Sequence, residues 1–176
     1  GDVRSLPLLP AFHASVACHQ SDGIGNRMDL LRLADRNLAG EQELVLDPTL
    51  FTDLAQEQRR ISGVGLALRR GRGDNEMNRF RYDVYLHVEC PIQKRPAEML
   101  EFSESNAATW REEIEYRRPA AASLIGLTNA RTIDAVAMAN WLRKETTERS
   151  LDALRRLLIS ETEQARHPED LAQWAE

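Results

Sequence analysis

Residues 79–88 read RFRYDVYLHV and carry the strongest strand signal in the chain. Apolar and aromatic side chains occupy every second position from Phe80 to Val88, the period that places them on one face of a β-strand. Residues 61–68 alternate in the same way, with large apolar side chains on one face and small residues on the other. The segment between them, residues 70–75, is rich in Gly, Asp and Asn, which favour a loop. We therefore predict an antiparallel hairpin with a long connecting loop.

Three helices are predicted before this hairpin. Apolar residues recur at helical spacing over residues 6–19, which predicts the first helix. Asn26 is suited to cap a second helix, which Gly40 would end in the left-handed conformation. Asp47 precedes a proline and can accept hydrogen bonds from the first free amides of a helix, so a third helix is predicted from there to Gln58.

A domain boundary is predicted after the hairpin, where residues 90–96 contain prolines and basic residues that break the strand pattern. The first unit would comprise residues 1–90, and residues 91–176 would form a mostly helical α+β subdomain. The elements predicted in this second unit are a helix over residues 103–116, a short buried strand over residues 122–126, and helices over residues 133–144, over residues 150–164 and from His167-Pro168 onward.

Composition excludes several classes of function. The 176 residues include 23 basic and 28 acidic side chains, and the formal net charge of -5 gives no long-range attraction to nucleic acid or to an anionic membrane surface. No stretch approaches the roughly 20 apolar residues of a membrane-spanning helix. The two cysteines, Cys18 and Cys90, stand far apart and outside any CxxC motif, so neither a disulfide framework nor a metal site is indicated. We expect a cytoplasmic protein that binds neither nucleic acid nor membrane.

The residues alone present no familiar catalytic motif. The chain has no GxSxG, HExxH or Walker sequence. Residues 23–25 read GIG, but polar residues precede them where a nucleotide-binding turn would follow a strand, so a flexible turn is favoured. Any hypothesis about function must therefore come from longer segments.

Several such segments match one family in the same order along the chain. The opening residues 1–9, GDVRSLPLL, and residues 79–88 resemble the C-terminal half of the S-adenosylmethionine-dependent methyltransferase domains that are embedded in nonribosomal peptide synthetases. Further similar stretches are AFHAS at residues 11–15, ELVLDP at residues 43–48, RGR at residues 70–72, LTNAR at residues 127–131 and HPEDL at residues 167–171. Together these segments span nearly the whole chain.

The resemblance implies an α/β fold, the C-terminal portion of a class I methyltransferase fold. An antiparallel hairpin with flanking helices would lie beside the strand that ends at Arg4, at the sheet edge where such folds bind ligands. The implied cofactor is S-adenosylmethionine, which is held in this family by strands upstream of Gly1. We expect that cofactor-binding half to be missing, the chain to be a piece of a larger synthetase, and this fragment alone to be inactive.

The resemblance also implies a substrate, partners and a site. The full domain would methylate the amine of an aminoacyl group on phosphopantetheine, beside the adenylation and peptidyl carrier domains of the same synthetase. This chain would supply a wall of the acceptor pocket, with Asp2, Arg4 and His13 as the candidate catalytic residues. Methyl transfer to an amine is an in-line displacement that depends mainly on alignment, and Asp2 could hold the amine. The structural alternatives are a local Asp2–Arg4 pair and a hydrogen-bonded core position for His13.

Other charged residues are predicted to have structural roles. An ion pair between Glu76 and Arg79, three residues apart, could fix the hairpin loop. Glu41 is expected to face water after the second helix. The arginines around the hairpin could meet a phosphate of the phosphopantetheine arm, although solvation is favoured because exposed charges contribute little. These arginines are Arg69, Arg70, Arg72, Arg79 and Arg81.

Two rival interpretations remain. The chain could be a non-catalytic spacer or docking module derived from such a methyltransferase domain, or a small unrelated α+β binding protein with a fortuitous match. An upstream glycine-rich strand-turn segment in the same reading frame would favour the enzyme over the spacer module, and binding of S-adenosylmethionine by the longer protein would favour it over the unrelated binding protein.

Overall fold

The computed structural model describes residues 2–21, 26–90, 98–101, 110–144, 151–163 and 165–175. These residues form an α/β structure. The strands are β1 (Asp2–Ser5), β2 (Val45–Leu46), β3 (Ile61–Leu68), β4 (Arg81–Val88), β5 (Glu98–Glu101) and β6 (Ala122–Ile125). The helices are α1 (Leu9–Gln20), α2 (Arg27–Ala39), α3 (Thr49–Glu57), α4 (Glu76–Phe80), α5 (Trp110–Arg117), α6 (Ile133–Arg143), α7 (Leu151–Glu163) and α8 (Pro168–Ala175). Among the described helices, none has both the length and the apolar character needed to cross a membrane.

A mixed sheet of four strands, in the order β2-β1-β4-β3, organises the N-terminal half. β3 and β4 pair antiparallel, with Val64 opposite Leu86. β1 runs antiparallel along the other side of β4, where Val3 lies opposite Tyr82. β2 joins β1 in parallel. The predicted hairpin is confirmed, and so is its position beside the strand at the amino terminus.

The hairpin differs from the prediction where β4 begins. The short helix α4 lies between the loop and β4, and the side chain of Asn75 accepts a hydrogen bond from the amide of Asn78 at 3.0 Å, which satisfies a first-turn donor. Phe80 ends this helix and is buried, so β4 starts at Arg81 and the strand predicted from Phe80 is one residue too long.

The predicted helix boundaries are close to those observed, but the predicted way in which α2 ends is wrong. Asn26 accepts from the amide of Asp29 at 3.1 Å, and Asp47 accepts from the amide of Thr49 at 2.9 Å, so both predicted capping roles are confirmed. Gly40 follows α2 with φ of -89°, outside the left-handed region, and its amide donates to the carbonyl of Arg36. The predicted left-handed stop at Gly40 is therefore wrong.

In the described part of the second half, β5 is a strand that was not predicted. β5 pairs in parallel with β6, which is half-exposed and not buried as expected. The helix predicted over residues 103–116 is observed as α5 from Trp110, while residues 102–109 and the predicted cap Ser150 lie outside the described residues. The last three helices are confirmed within a few residues.

The main core combines helices from before and after residue 90. α1 packs against α2 and α6, and α6 packs against α7. Ala14 of α1 and Leu142 of α6 are fully buried in this core. From α2, the buried Arg27 donates through Nε to the carbonyl of Trp141 at 3.0 Å, which satisfies an acceptor near the end of α6. The division into two units stays a prediction, while α1 and α2 share one contiguous core with α6 and α7.

We expect Leu142→Ala to lower the free energy of unfolding by about 2–5 kcal/mol, because it leaves a cavity in this shared core. Leu44→Ala is the control, since Leu44 is 72% exposed, and it should change stability by less than about 0.5 kcal/mol. Urea denaturation followed by circular dichroism measures both. Similar losses in the two variants would contradict the core described here.

Candidate functional site

Arg4, at the end of β1, lies at the centre of a largely buried cluster of charged side chains. Its side chain is 7% exposed, and Nη1 donates to Oε2 of Glu41 at 2.7 Å. Nη2 lies 2.7 Å from Oε2 of Glu43 and 2.6 Å from Oε1 of Glu76. The guanidinium also stacks on the ring of Phe12 at 4.5 Å from its centroid. We call the cluster the Arg4 network; it consists of Arg4, His13, Glu41, Glu43, Glu76 and Arg81.

Glu41 connects two of the predicted site residues. Its Oε2 accepts from Arg4 and lies 3.1 Å from Nε2 of His13, while its Oε1 accepts from the amides of Gln42 and Glu43. The Glu43 amide first, and then the charge of Arg4, hold the pKa of Glu41 below its usual value despite its burial. Because an ionised carboxylate can only accept hydrogen bonds, we infer that Nε2 of the buried His13 carries a hydrogen.

Glu76 and Arg81 form the other side of the network. Oε1 of Glu76 accepts from Nε and Nη2 of Arg81 at 3.0 and 2.7 Å, and Nη1 of Arg81 lies 2.6 Å from Oε1 of Glu43. Burial raises the pKa of Glu76, but hydrogen bonds from Arg81 and Arg4 outweigh it and the net pKa is lowered. Burial likewise opposes the charge of Arg81, but Glu76 and Glu43 raise its pKa overall. Both groups are therefore ionised at neutral pH.

Asp2 lies at the accessible edge of this network. Its side chain is 33% exposed, with Oδ1 3.4 Å from Nη1 of Arg69 and Oδ2 3.7 Å from Nη1 of Arg81. Arg69 also approaches Asp83 of β4 at 3.7 Å. The structure thus brings Asp2, Arg4 and His13 into one connected group, and Asp2 is the most exposed of these three residues. The alternative pairing of Asp2 with Arg4 is wrong, since Arg4 contacts glutamates.

Glu41 is the residue that sequence reasoning missed, because it was expected to face water. Its side chain is 14% exposed and buried against Arg4. The signal that could have found it is Arg4 itself: a cation in a short strand beside an apolar helix needs close acceptors, for which a nearby carboxylate is a strong candidate. The predicted Glu76–Arg79 pair is also wrong, because Arg79 binds Asp74 at 3.1 Å and Asp134 at 2.5 Å.

The hairpin arginines are paired with carboxylates and not simply solvated. In addition to the contacts of Arg69, Arg79 and Arg81, Arg70 contacts Glu169 at 3.1 Å and Arg72 contacts Asp170 at 2.6 Å. Acidic partners within the chain compensate these charges, which weakens the interpretation of the loop as a phosphate site.

Comparison with known proteins gives this site a context. No family model matches the chain. The chain is 34% identical over 162 residues to chondramide synthase cmdD of Chondromyces crocatus, a match that covers 88% of this chain and 4% of that protein. It is 28% identical over 150 residues to the nonribosomal peptide synthetase kk1B of Curvularia clavata, over 80% of this chain and 1% of that protein.

The homologues of this chain are nonribosomal peptide synthetases. A third relative, the probable non-canonical nonribosomal peptide synthetase CymA of Salinispora arenicola, is 40% identical over 88 residues, which is 50% of this chain and 1% of that protein. The chain spans only a few per cent of the length of these synthetase relatives. The predicted synthetase context is confirmed, and the methyltransferase identity stays a prediction.

We expect Arg4→Met to lower the free energy of unfolding by about 3–5 kcal/mol, because it leaves the largely buried Glu41 carboxylate without its guanidinium partner, while Glu43 and Glu76 keep Arg81. Arg60→Met is the control: Arg60 contacts Glu89 at 2.8 Å on an exposed surface, and its removal should cost at most about 1 kcal/mol. Chemical denaturation at neutral pH compares them. Equal losses would contradict a central role for Arg4.

Acid should destabilise the protein through Glu41 and Glu76. Folding lowers both pKa values from 4.5, so their stabilisation is complete above that value and is lost as the pH falls through the folded-state pKa values. We expect the Glu41→Gln/Glu76→Gln variant to be less stable than the wild type at neutral pH but to lose less stability between about pH 5 and pH 3. As a control, Glu57→Gln removes a carboxylate at an exposed position of α3 and should keep the wild-type dependence of stability on pH. If the stability of all three proteins fell in parallel as the pH was lowered, this account would be contradicted.

Proposed function

We propose that this chain is the acceptor-side, C-terminal portion of an N-methyltransferase domain in a nonribosomal peptide synthetase. The domain transfers a methyl group from S-adenosylmethionine to the amine of an aminoacyl group held on a carrier. The observation that carries the proposal is the acid-rich Arg4 network, with Asp2 at its accessible edge, where β1 meets the antiparallel β3–β4 pair. The order β1-β4-β3 and the synthetase relatives support it.

The charges around Asp2 suit a basic amine. The carboxylates of Asp2, Glu41, Glu43, Glu76 and Asp83 outnumber the guanidinium groups of Arg4, Arg69 and Arg81 by two. Such a surplus attracts a cationic group and opposes the approach of an anion. The local electrostatics therefore favour an amine over a phosphate or carboxylate as the bound group.

Each predicted site residue takes a role that follows from its exposure. In a displacement that would form the nitrogen–methyl bond as the methyl–sulfur bond of the donor breaks, the exposed Asp2 carboxylate would accept a hydrogen bond from the neutral amine and would stabilise the positive charge that develops on nitrogen. Arg4 and His13 are buried. They position the end of β1 and do not contact the acceptor.

S-adenosylmethionine, when bound, supplies an electrophilic methyl group on sulfonium sulfur. The turns that follow the parallel strands β1 and β2 begin LPL and DPT and carry no glycine-rich sequence of the kind that approaches a nucleotide. These described turns do not fit the donor, and we assign its site to other parts of the synthetase. The adenylation and carrier domains of the same synthetase would present the aminoacyl-phosphopantetheine substrate.

The test uses the intact synthetase that contains this chain and follows transfer of labelled methyl from S-adenosylmethionine to the carrier-bound aminoacyl group. Asp2→Asn should lower kcat/KM by about 10–100-fold, the range expected for loss of one electrostatic contact in the transition state. Asp53→Asn, the same change on the exposed surface of α3, should leave kcat/KM unchanged. A folded synthetase that neither binds S-adenosylmethionine nor transfers methyl would overturn the proposal and favour a spacer or docking module.

A further inference from the structure

Two segments that the Arg4 network does not use, residues 127–131 and residues 167–171, lie together in the structure. Asn129 and Arg166 form a short parallel bridge. The amide of Ala130 donates to the carbonyl of Arg166 at 3.0 Å, and the amide of Arg166 donates to Thr128 at 2.9 Å. The side chains of Arg131 and Glu169 are thereby brought to the tip of the β3–β4 hairpin.

Arg131 joins the two ends of the loop between β3 and β4. Its side chain is 4% exposed, and Nη1 donates to the carbonyl of Arg69 at 2.7 Å and approaches that of Asn78 at 3.5 Å. Nη2 donates to the carbonyl of Gly71 at 2.5 Å. One buried guanidinium thus contacts the main chain just after β3 and again within α4. Its planar group of donors suits this arrangement, which an ammonium group could not reproduce.

Glu169, in the first turn of α8, completes the contact. Its Oε1 accepts from the amide of Gly71 at 2.7 Å and lies 3.2 Å from Nη2 of Arg131. The Gly71 amide first, and then Arg70 and Arg131, lower the pKa of Glu169. Gly71 has φ of 121°, a conformation that side-chain-bearing residues rarely adopt. The loop is therefore held in one specific backbone shape.

Two residues near the ends of this loop, Arg69 and Glu76, connect it to Asp2 and to the Arg4 network. Arg69, whose carbonyl Arg131 holds, approaches Asp2 and Asp83 with its side chain. α4, which Arg131 approaches at Asn78, carries Glu76, the carboxylate shared by Arg4 and Arg81. A shift of the loop would consequently move both Arg69 and Glu76.

We propose that Arg131 and Glu169 are positioning residues for the methyl-acceptor site and act by clamping the β3–β4 loop. This inference rests on the proposed function for its effect on substrate, but its structural part does not. The described helical segments after residue 126 thereby fix the geometry of the site through the β3–β4 loop.

The first measurement is amide hydrogen exchange on two single variants of this chain, Arg131→Lys and Glu169→Gln. We expect faster exchange of the amides in the loop and in α4 and β1, with a smaller change in the core helices α1 and α6. Asp170→Asn is the matched control for Glu169→Gln: it also removes one negative charge, one residue further along α8, where Asp170 contacts the exposed Arg72. It should leave exchange in β1 unchanged. Faster exchange confined to the loop, or spread over the whole chain, would overturn the inference.

The second measurement is steady-state kinetics of the intact synthetase. Arg131→Lys should lower kcat with the carrier-bound aminoacyl substrate about tenfold, with the KM for that substrate and the Kd for S-adenosylmethionine within about twofold, because Asp2 acts on charge that develops in the transition state and its misplacement lowers the rate. An unchanged kcat, or parallel losses in all three quantities, would overturn the positioning role. If the wild-type synthetase transfers no methyl, the proposed function fails. Hydrogen exchange then decides by itself whether the contacts of Arg131 and Glu169 with the loop affect β1.

Discussion

The burial of Arg4 is the constraint on which the N-terminal half of the structure depends. A guanidinium cannot be deprotonated in a protein, so its removal from water requires hydrogen-bond acceptors at close range, and for Arg4 these are carboxylates. The chain supplies them from two separate places, with Glu41 and Glu43 before β2 and Glu76 in α4. The end of β1, the segment after α2 and the start of the β4 region therefore have to meet at one point.

Buried arginines connect distant segments elsewhere in the molecule as well. Arg27 of α2 donates to the main chain at the end of α6, and Arg131 donates to the main chain on both sides of the hairpin loop. Each of these arginines uses several donors on acceptors far away in sequence, a task for which a planar guanidinium is better suited than an ammonium group. Apolar packing of α1, α2, α6 and α7 supplies the bulk of the core, and the arginines fix how its edges meet.

The sequence allowed prediction of the elements whose signals are local. The alternation in residues 61–68 and 80–88, the cap at Asn26 and the Asp47-Pro48 start depend on neighbours within a few residues, and all three were close to the observed structure. The prediction missed α4 because Phe80 fits the alternation of the strand although it is the last residue of a helix. β5 and the partners of Glu41 depend on contacts between distant segments, which no local pattern encodes. The candidate site was found in part, since Asp2, Arg4 and His13 are connected, but the carboxylate that joins Arg4 to His13 was not.

A double-mutant cycle between Arg4 and Glu41 tests most directly whether this ion pair organises the structure. The free energies of unfolding of the wild type, Arg4→Met, Glu41→Gln and the double variant would be measured at neutral pH. We predict a coupling energy of at least about 1 kcal/mol, as expected for residues that share a buried network. Additive effects, to within about 0.5 kcal/mol, would show that the two residues act independently and would contradict the account.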